Sequence, residues 1–281
     1  MLDFKLLIDS LDNYDIFEGM TSISALIKSI IEGSNTRRIV AVMFDKSRVE
    51  KKQRELSYLL RMSSSVGFEL VEVDSDKISA LTSGETHGGI IAVTTKRILS
   101  DNLANLMDNG SFFALIDGVE DPYNFGYSVR SLYAAGVDGI ILSERNWMEF
   151  SGVVARSSAG TSELANIVAC DTYEAVKFFK DKGFKVVCAS IRDSVSLCDY
   201  DFTQPVLLIV GGEKRGISRS ILEKSDSIIR IDYGRQFKGS LPSVSATSII
   251  SCLPLACYPT IKNFTCIIKC FNFLFFFIFA F

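Results

Sequence analysis

The stretch LIDGVEDPYNFGYSVRSLYAAG, residues 115–136, joins an apolar run to a helix through an acidic, proline-containing turn. Pro122 fixes the turn, Asn124 can cap the helix that follows, and Gly126 lets backbone or a ligand come close. Arg130 lies six residues after Asn124. This spacing puts it in the second helical turn, roughly 9 Å further along the helix axis. Taken alone, the loop favours an ordinary capped strand-to-helix turn with a surface arginine.

Apolar runs of strand length recur on both sides of this stretch. They are FFALID (112–117), GIILS (139–143), KVVCAS (185–190), PVLLIV (205–210) and SIIRI (227–231). Because helical segments such as TYEAVKFFKDKG separate them, the pattern predicts a buried parallel sheet. Such sheets bind ligands beyond the carboxyl ends of their strands. The loops that follow the strands are therefore where a site is expected.

Two more strand-end loops carry glycines and charges. The first is VLLIVGGEKRGIS (206–218), which lacks both the GxxxxGK[ST] and the GxGxxG spacing. These absences disfavour a nucleoside-triphosphate loop and a nicotinamide site. The second is IRIDYGRQFKGSLPSVSATSII (229–250), in which a basic loop leads into a helix of small residues that can pack closely on a neighbour.

Residues 1–97 alternate between helical and strand patterns, which predicts a small α/β sandwich. Its strands are RIVAVMF (38–44), FELVEV (68–73) and GIIAVTT (89–95). One helix puts four apolar residues on a single face: Val49, Leu56, Leu59 and Leu60. The unit also concentrates basic side chains between Arg37 and Arg61. They form either a solvated helix face or a phosphate-contacting patch.

Composition narrows the class of protein. A chain of 281 residues with 48% hydrophobic and 22% charged residues is typical of a soluble globular protein of one large or two ordinary domains. The formal net charge of -3 gives no global attraction to nucleic acid, so any basic surface must be local. The 7 cysteines form no CxxC pair and His87 is the single histidine, so no metal site or disulfide framework is expected. The stretch MLDFKLLIDSLDNYDIF has acidic residues among its apolar ones and lacks a basic start, unlike a signal peptide. A cytoplasmic location is therefore expected.

The three strand-end loops, taken in order, resemble the motifs of the SpoU/TrmH branch of the SPOUT RNA methyltransferases. The first motif, Asp-x-x-x-Asp-Pro-x-Asn-x-Gly followed by an arginine, is matched by Asp117, Asp121, Pro122, Asn124, Gly126 and Arg130. The second, Gly-x-Glu-x-x-Gly, is matched by Gly211, Glu213 and Gly216. In the third, Pro242 stands where asparagine is expected, but the other positions fit: Ser240, Leu241, Val244, Ser245 and Ala246.

The resemblance extends beyond the loops. SSAGTSEL (157–164) is similar to the family's segment between the motifs. FEGMTSISALIKS and THGGIIA are similar to its accessory RNA-binding domain, which has a ribosomal-protein-like fold. This implies an RNA substrate-binding domain at 1–97, a linker at 98–111, a SPOUT methyltransferase domain at 112–251 and an atypical hydrophobic tail at 252–281.

For the whole chain, the resemblance implies an α/β fold: a small N-terminal sandwich followed by a parallel-sheet α/β domain with a trefoil knot. It implies a homodimer that uses S-adenosylmethionine to methylate a ribose 2′-hydroxyl of ribosomal or transfer RNA. The cofactor-binding residues would be Gly211, Ile231 and Leu241. The catalytic residues would be Asn124, Arg130, Glu213 and Ser240.

The resemblance implies that Arg130 lies at the ribose 2′-hydroxyl, and the chemistry of each side chain limits the role that it can play there. An arginine side chain stays protonated at any pH below about 12. Arg130 is therefore expected to clamp a phosphate and stabilise a developing alkoxide. Asn124 would orient Arg130 or the ribose, Glu213 would anchor Asn124 or its loop, and Ser240 would fix the substrate or Arg130. Pro242 offers neither a polar side chain nor an N–H. Either Ser243 or Arg235 substitutes, or the chain is a catalytically impaired RNA-binding protein of the same fold.

The tail at 252–281 changes character, with Lys262 and Lys269 as its only charges and many phenylalanines. One reading is a membrane anchor, since residues 264–281 would span roughly 27 Å as a helix. A second is a frame error that replaced the terminal helix, and a third is a segment buried in a partner. We favour the second.

Overall fold

The computed structural model describes residues 11–82, 87–107, 110–143 and 151–257. Within these ranges the chain forms two β-sheets, one from each half of the sequence. The first half forms, in chain order, β1 (Tyr14–Glu18), α1 (Gly19–Ile31), β2 (Ile39–Asp45), α2 (Gln53–Val66), β3 (Glu69–Val73), α3 (Ser75–Ser79) and β4 (Ile90–Thr95).

The first sheet is mixed and has the strand order β1-β4-β2-β3. Strand β4 runs antiparallel to β1 and β2, and β3 runs parallel to β2. Successive strand residues point to opposite faces of a sheet. Val42 and Ala92 therefore pack with helices α1 and α2, whereas Met43 and Val93 pack with α3. This arrangement confirms the small α/β sandwich.

The prediction for one residue of this unit is wrong. Leu59 of α2 is fully buried, but Leu60 is 65% exposed. Consecutive residues of a helix point roughly 100° apart, so both cannot lie at the centre of one face. The helix also begins later than expected, because short 3-10 turns occupy Lys46–Arg48 and Glu50–Lys52 before it.

The second half builds a parallel sheet in which five strands match the five predicted apolar runs and two short strands were not predicted. Its elements are β5 (Phe112–Asp117), α4 (Pro122–Ala134), β6 (Gly139–Leu142), α5 (Ser151–Ser157), α6 (Thr161–Leu164), β7 (Ile167–Ala169), α7 (Thr172–Asp181), β8 (Lys185–Ala189), β9 (Val195–Ser196), β10 (Val206–Gly211), α8 (Arg219–Leu222), β11 (Ser227–Arg230) and α9 (Ser243–Cys257). The strand order is β7-β6-β5-β10-β8-β11-β9, and the pairs are parallel.

Helices cover both faces of this sheet. Leu208 faces a core that includes Phe125 of α4 and Ile250 of α9. Leu207 faces the opposite core, which includes Phe179 of α7 and Ile221 of α8. This double cover explains why the strands are apolar throughout instead of alternating.

Helix α9 lies against α4, where the Ser131 and Ser248 hydroxyl oxygens are 2.7 Å apart. It ends at Cys257, and residues 258–281, which hold most of the predicted tail and the proposed anchor at 264–281, lie outside the described residues. In the part of the chain that is described, no helix is long and apolar enough to cross a membrane. Within the predicted linker, Leu103 and Leu106 are buried in the core on one face of the second sheet.

The two sheets are joined by a buried ionic cluster. Arg37 donates from Nε to a Glu163 carboxylate oxygen at 3.0 Å and from Nη1 to Asp15. Only 4% of Arg37 and 3% of Glu163 are exposed. Since Glu163 belongs to α6 and Asp15 to β1, the cluster ties the N-terminal sheet to the helices between the first and second motifs.

Candidate active site

The first two predicted loops meet backbone to backbone at the carboxyl ends of β5 and β10. Gly211 is in register with Asp117, and the Gly212 N–H donates to the Asp117 carbonyl oxygen at 2.7 Å. A Cβ added at Gly212 would lie 1.9 Å from the Gly118 carbonyl oxygen. Real Cβ contacts are never so short, so glycine at position 212 is what allows these loops to touch.

A cavity of about 320 Å³ opens beside this junction. Its walls come from the loops after β8, β10 and β11 and from the first turns of α9. All three predicted cofactor-binding residues and two of the predicted catalytic residues line it: Gly211, Ile231, Leu241, Glu213 and Ser240. The second and third motifs therefore form one site, although the chain separates them by about 30 residues.

Asn124 reaches this site through Glu213. Its side-chain amide donates to Glu213 Oε1 at 3.0 Å, which links the first motif to the second. The expectation that Asn124 caps its helix is wrong. Asp121 is the cap residue, and its carboxylate accepts from the Asn124 backbone N–H at 2.8 Å. With Pro122 at the first helical position, Asp121 is the residue whose side chain can reach that free N–H.

Arg130 does not line the cavity. It is exposed on α4 and forms no ion pair with any residue in the described ranges. Six residues separate it from Asn124, which turns it roughly 120° away around the helix. It instead shares an exposed face with Tyr123 and Tyr127, whose side chains are 43% and 44% exposed.

Ser243 is a cavity residue whose hydroxyl is not satisfied. It opens α9 directly after Pro242, is 8% exposed, and its Oγ has no hydrogen-bond partner among the described residues. Leaving a buried hydroxyl unpaired costs about 1–3 kcal/mol. A ligand with a polar group would relieve this cost, so the cavity suits a ligand that is not purely apolar.

The mouth of the cavity is rich in cations. Arg230 is paired with Asp232 at 2.8 Å, and the pKa of Asp232 is lowered by hydrogen bonds from Ser196 and Arg230. Arg192 also lines the cavity, and the loops after β10 and β11 carry three more exposed cations. None of the four has a carboxylate partner in the part of the chain described here: Arg192, Arg215, Arg235 and Lys238. Although the net charge of the chain is negative, this region can attract a polyanion.

The common nucleophiles and metal ligands lie elsewhere. Among the residues that the structure describes, no histidine or cysteine lines the cavity. Burial raises the pKa of Cys188, on β8, to about 12, so its thiol stays protonated at neutral pH. Within the described ranges no group of three or more histidine, cysteine or acidic residues could hold a metal ion. Glu213 is the one carboxylate that the described part of the chain contributes to the cavity.

Comparison with known proteins identifies a matching family and related RNA methyltransferases. The model of the SpoU rRNA Methylase family matches residues 111–251. Among relatives, the 23S rRNA (guanosine-2'-O-)-methyltransferase RlmB of Shewanella oneidensis is 25% identical over 238 residues, covering 83% of this chain and 92% of the relative. The RlmB protein of a Burkholderia species is 25% identical over 194 residues, covering 68% of this chain and 77% of the relative.

Solved structures share the fold. A crystal structure described as an RNA 2'-O ribose methyltransferase superposes with a TM-score of 0.72 at 18% identity, covering 91% of this chain and 92% of that one. An AdoMet-bound rRNA methyltransferase from Sinorhizobium meliloti gives 0.69 at 20% identity, with 90% of both chains covered. Because the family model spans half of the sequence and includes all three loops around the cavity, the chain belongs to the SpoU rRNA methylase family, a family of RNA methyltransferases.

Proposed function

We propose that this chain transfers a methyl group from S-adenosylmethionine to a ribose 2′-hydroxyl of ribosomal or transfer RNA. The observation that carries the proposal is that the second and third motif loops line one cavity, to which the Asn124–Glu213 hydrogen bond joins the first, in a member of an RNA methyltransferase family. Relatives named as 2'-O-methyltransferases support the ribose as the acceptor.

The cavity fits the cofactor in size and chemistry. Its volume of about 320 Å³ lies within the range of small-molecule sites. Ile231 and Leu241 offer apolar surface for an adenosyl group, and Ser243 offers an unpaired hydroxyl. When bound, S-adenosylmethionine supplies a methyl group on a positively charged sulfur. The protein must then align the ribose hydroxyl with that methyl and assist the loss of the hydroxyl proton.

We assign positioning roles to Asn124 and Glu213, because their hydrogen bond fixes the first loop against the second. Ser240, exposed at the cavity, would hold the ribose. Arg130 would clamp a substrate phosphate and stabilise the oxygen as its proton leaves, since a guanidinium is a permanent cation with a planar set of donors.

A homodimer would bring Arg130 to a cavity. Within one chain this residue lies outside the cavity, on the exposed face of α4 that also carries Tyr123 and Tyr127. Large exposed aromatic side chains flanking an arginine are typical of interface centres. We therefore assign this face to the dimer contact, so that Arg130 of one protomer serves the cavity of its partner.

The remaining assignments follow from family membership. We propose that residues 1–97 bind the RNA substrate, that residues 112–251 are the methyltransferase domain, and that α9 completes a trefoil knot. Lys51, Arg54 and Arg61 support contact with RNA phosphates, because they are exposed on the N-terminal unit. Arg37, at the start of the predicted basic patch, is instead buried in the ionic cluster. A cytoplasmic location is proposed because ribosomal and transfer RNA are modified there.

The proposed function is tested by calorimetric titration of S-adenosylmethionine into the purified chain and by transfer of labelled methyl groups to total RNA. Saturable binding together with RNA labelling is expected. Absence of cofactor binding would refute the assignment of the cavity. Binding of RNA and cofactor without turnover would instead identify an impaired RNA-binding protein, and Pro242→Asn would then test whether position 242 limits the rate.

Replacing Ser243 by alanine is expected to weaken S-adenosylmethionine binding about three- to tenfold, the value of one hydrogen bond. The free energy of unfolding should not fall, because the hydroxyl that is removed has no partner among the described residues. Ser128→Ala is the matched control, since Ser128 has the other buried unpaired hydroxyl and does not line the cavity. Equal cofactor affinities in the two variants would contradict a ligand role for Ser243.

A further inference from the structure

The loop that follows β11 presents one aromatic side chain to solvent beside the cavity. Phe237 is 58% exposed. A Cβ added at Gly239 would lie 2.6 Å from Phe237 Cζ, so the ring rests directly on the backbone at Gly239. On another side it contacts the ring of Tyr233, with 5.6 Å between the centroids and 60° between the planes. The chain thus supports the Phe237 ring from within the loop and leaves more than half of the side chain uncovered.

Tyr233 connects this ring to the cavity. Its hydroxyl oxygen accepts from the Leu241 backbone N–H at 3.2 Å, which closes the loop on itself. Tyr233 and Leu241 both line the cavity, as does Ser240. The exposed Phe237 ring is therefore held at a defined place next to the proposed ribose site.

The charges around the ring favour a nucleic acid over a protein. Arg235 and Lys238 lie within two residues of Phe237, are exposed, and form no ion pair with the residues described. Unstacked bases bind to aromatic side chains, while adjacent lysine and arginine side chains bind the phosphates on either side. An apolar protein surface would instead have to bury these two cations unpaired.

We propose that Phe237 is a stacking platform for an unpaired base of the RNA substrate, close to the nucleotide that receives the methyl group, with Arg235 and Lys238 contacting the flanking phosphates. The inference rests on the proposed function and adds the substrate class: RNA whose bases are unpaired at the site of modification. A base within a duplex cannot stack on Phe237, because its faces are covered by its neighbours.

The test uses the full chain and a single-stranded RNA oligonucleotide that carries 2-aminopurine, a base whose fluorescence is quenched by stacking. The parent protein should quench it. Phe237→Ala should bind about tenfold more weakly, as expected for one lost base–aromatic contact, and should lose the quenching. Phe237→Trp should restore both. The same oligonucleotide annealed to its complement should be quenched much less by the parent.

Tyr173→Ala is the matched control. Tyr173 is also an exposed aromatic residue with a cation beside it, Lys224, but it lies on α7, which packs on the opposite face of the sheet. This variant should bind the RNA like the parent. Titration of every variant with S-adenosylmethionine distinguishes a failure of the stacking platform from a failure of the proposed function. Phe237 does not line the cavity, so its loss should leave cofactor affinity unchanged.

Retained affinity and quenching in Phe237→Ala would overturn the stacking platform, whether or not the cofactor binds. Absence of quenching by the parent would overturn it as well. A Phe237→Ala chain that binds RNA normally but changes its oligomeric state would assign the ring to a contact between protein copies, which also overturns the proposal.

Discussion

Replacing Arg130 by alanine is expected to lower kcat for RNA methylation by about 10²- to 10³-fold, the loss typical of removing one charge-stabilising donor. Affinity for S-adenosylmethionine should be unchanged, because the role assigned to Arg130 is contact with the RNA and not with the cofactor. Each protomer should still fold, because Arg130 is exposed on the single chain. Arg130→Lys keeps the charge but loses the planar fork of donors, so its kcat should lie between those of the parent protein and Arg130→Ala. Single-turnover methylation and calorimetry measure these quantities.

Mixed dimers test where Arg130 acts. Protein carrying only Arg130→Ala would be mixed with protein carrying only Ala246→Phe, a variant that fills the cavity with a larger side chain. If Arg130 serves the partner's cavity, a mixed dimer contains one site in which both the cavity and the arginine are intact, and activity returns when two inactive preparations are mixed. If Arg130 served its own cavity, no such site would form. Normal turnover of Arg130→Ala alone would refute any catalytic role.

Replacing Arg37 by alanine is expected to destabilise the chain by about 3–5 kcal/mol, the cost of breaking a buried ion pair. The change leaves the carboxylates of Asp15 and Glu163 buried without their cation, where 6% and 3% of each residue is exposed. It also removes one link between the two halves of the chain, while the Asn35–Glu163 hydrogen bond and the Arg156–Glu18 ion pair remain. Urea denaturation followed by circular dichroism gives the free energy of unfolding.

Arg38→Ala is the control for this change, because Arg38 is the adjacent arginine and is exposed. It should shift the free energy of unfolding by less than about 0.5 kcal/mol, as surface substitutions do. An Arg37→Ala protein as stable as Arg38→Ala would mean that the ionic cluster does not hold the two sheets together.

Most of the second sheet could be predicted from the sequence, because its strands are buried on both faces and read as unbroken apolar runs. Three strands could not be predicted in this way: β7 and β9 of the second sheet and β1 of the first. β7 and β9 have three and two residues, too few for a recognisable pattern. β1 reads YDIFE, in which acidic residues interrupt the apolar ones. Asp15 within it is tolerated because Arg37 compensates its charge.

The site was predictable to the extent that it is built from backbone turns. Five of the predicted residues line the cavity, and Asn124 is joined to it through Glu213. The position of Arg130 depends on helical phase, which loop motifs do not specify. The pairing of Arg37 with Glu163 joins residues 126 positions apart and leaves no local pattern. That the hydroxyl of Ser243 is buried and unpaired is likewise evident only from the packing of α9.

The most direct test of the central claim is alkaline hydrolysis of RNA that the purified chain has methylated with labelled S-adenosylmethionine. A methylated 2′-oxygen cannot attack the neighbouring phosphate, so the bond beside it survives alkali. The label is therefore predicted to appear in alkali-resistant dinucleotides. Label recovered in mononucleotides would mean that a base is the acceptor and would contradict ribose 2′-O-methylation by this cavity.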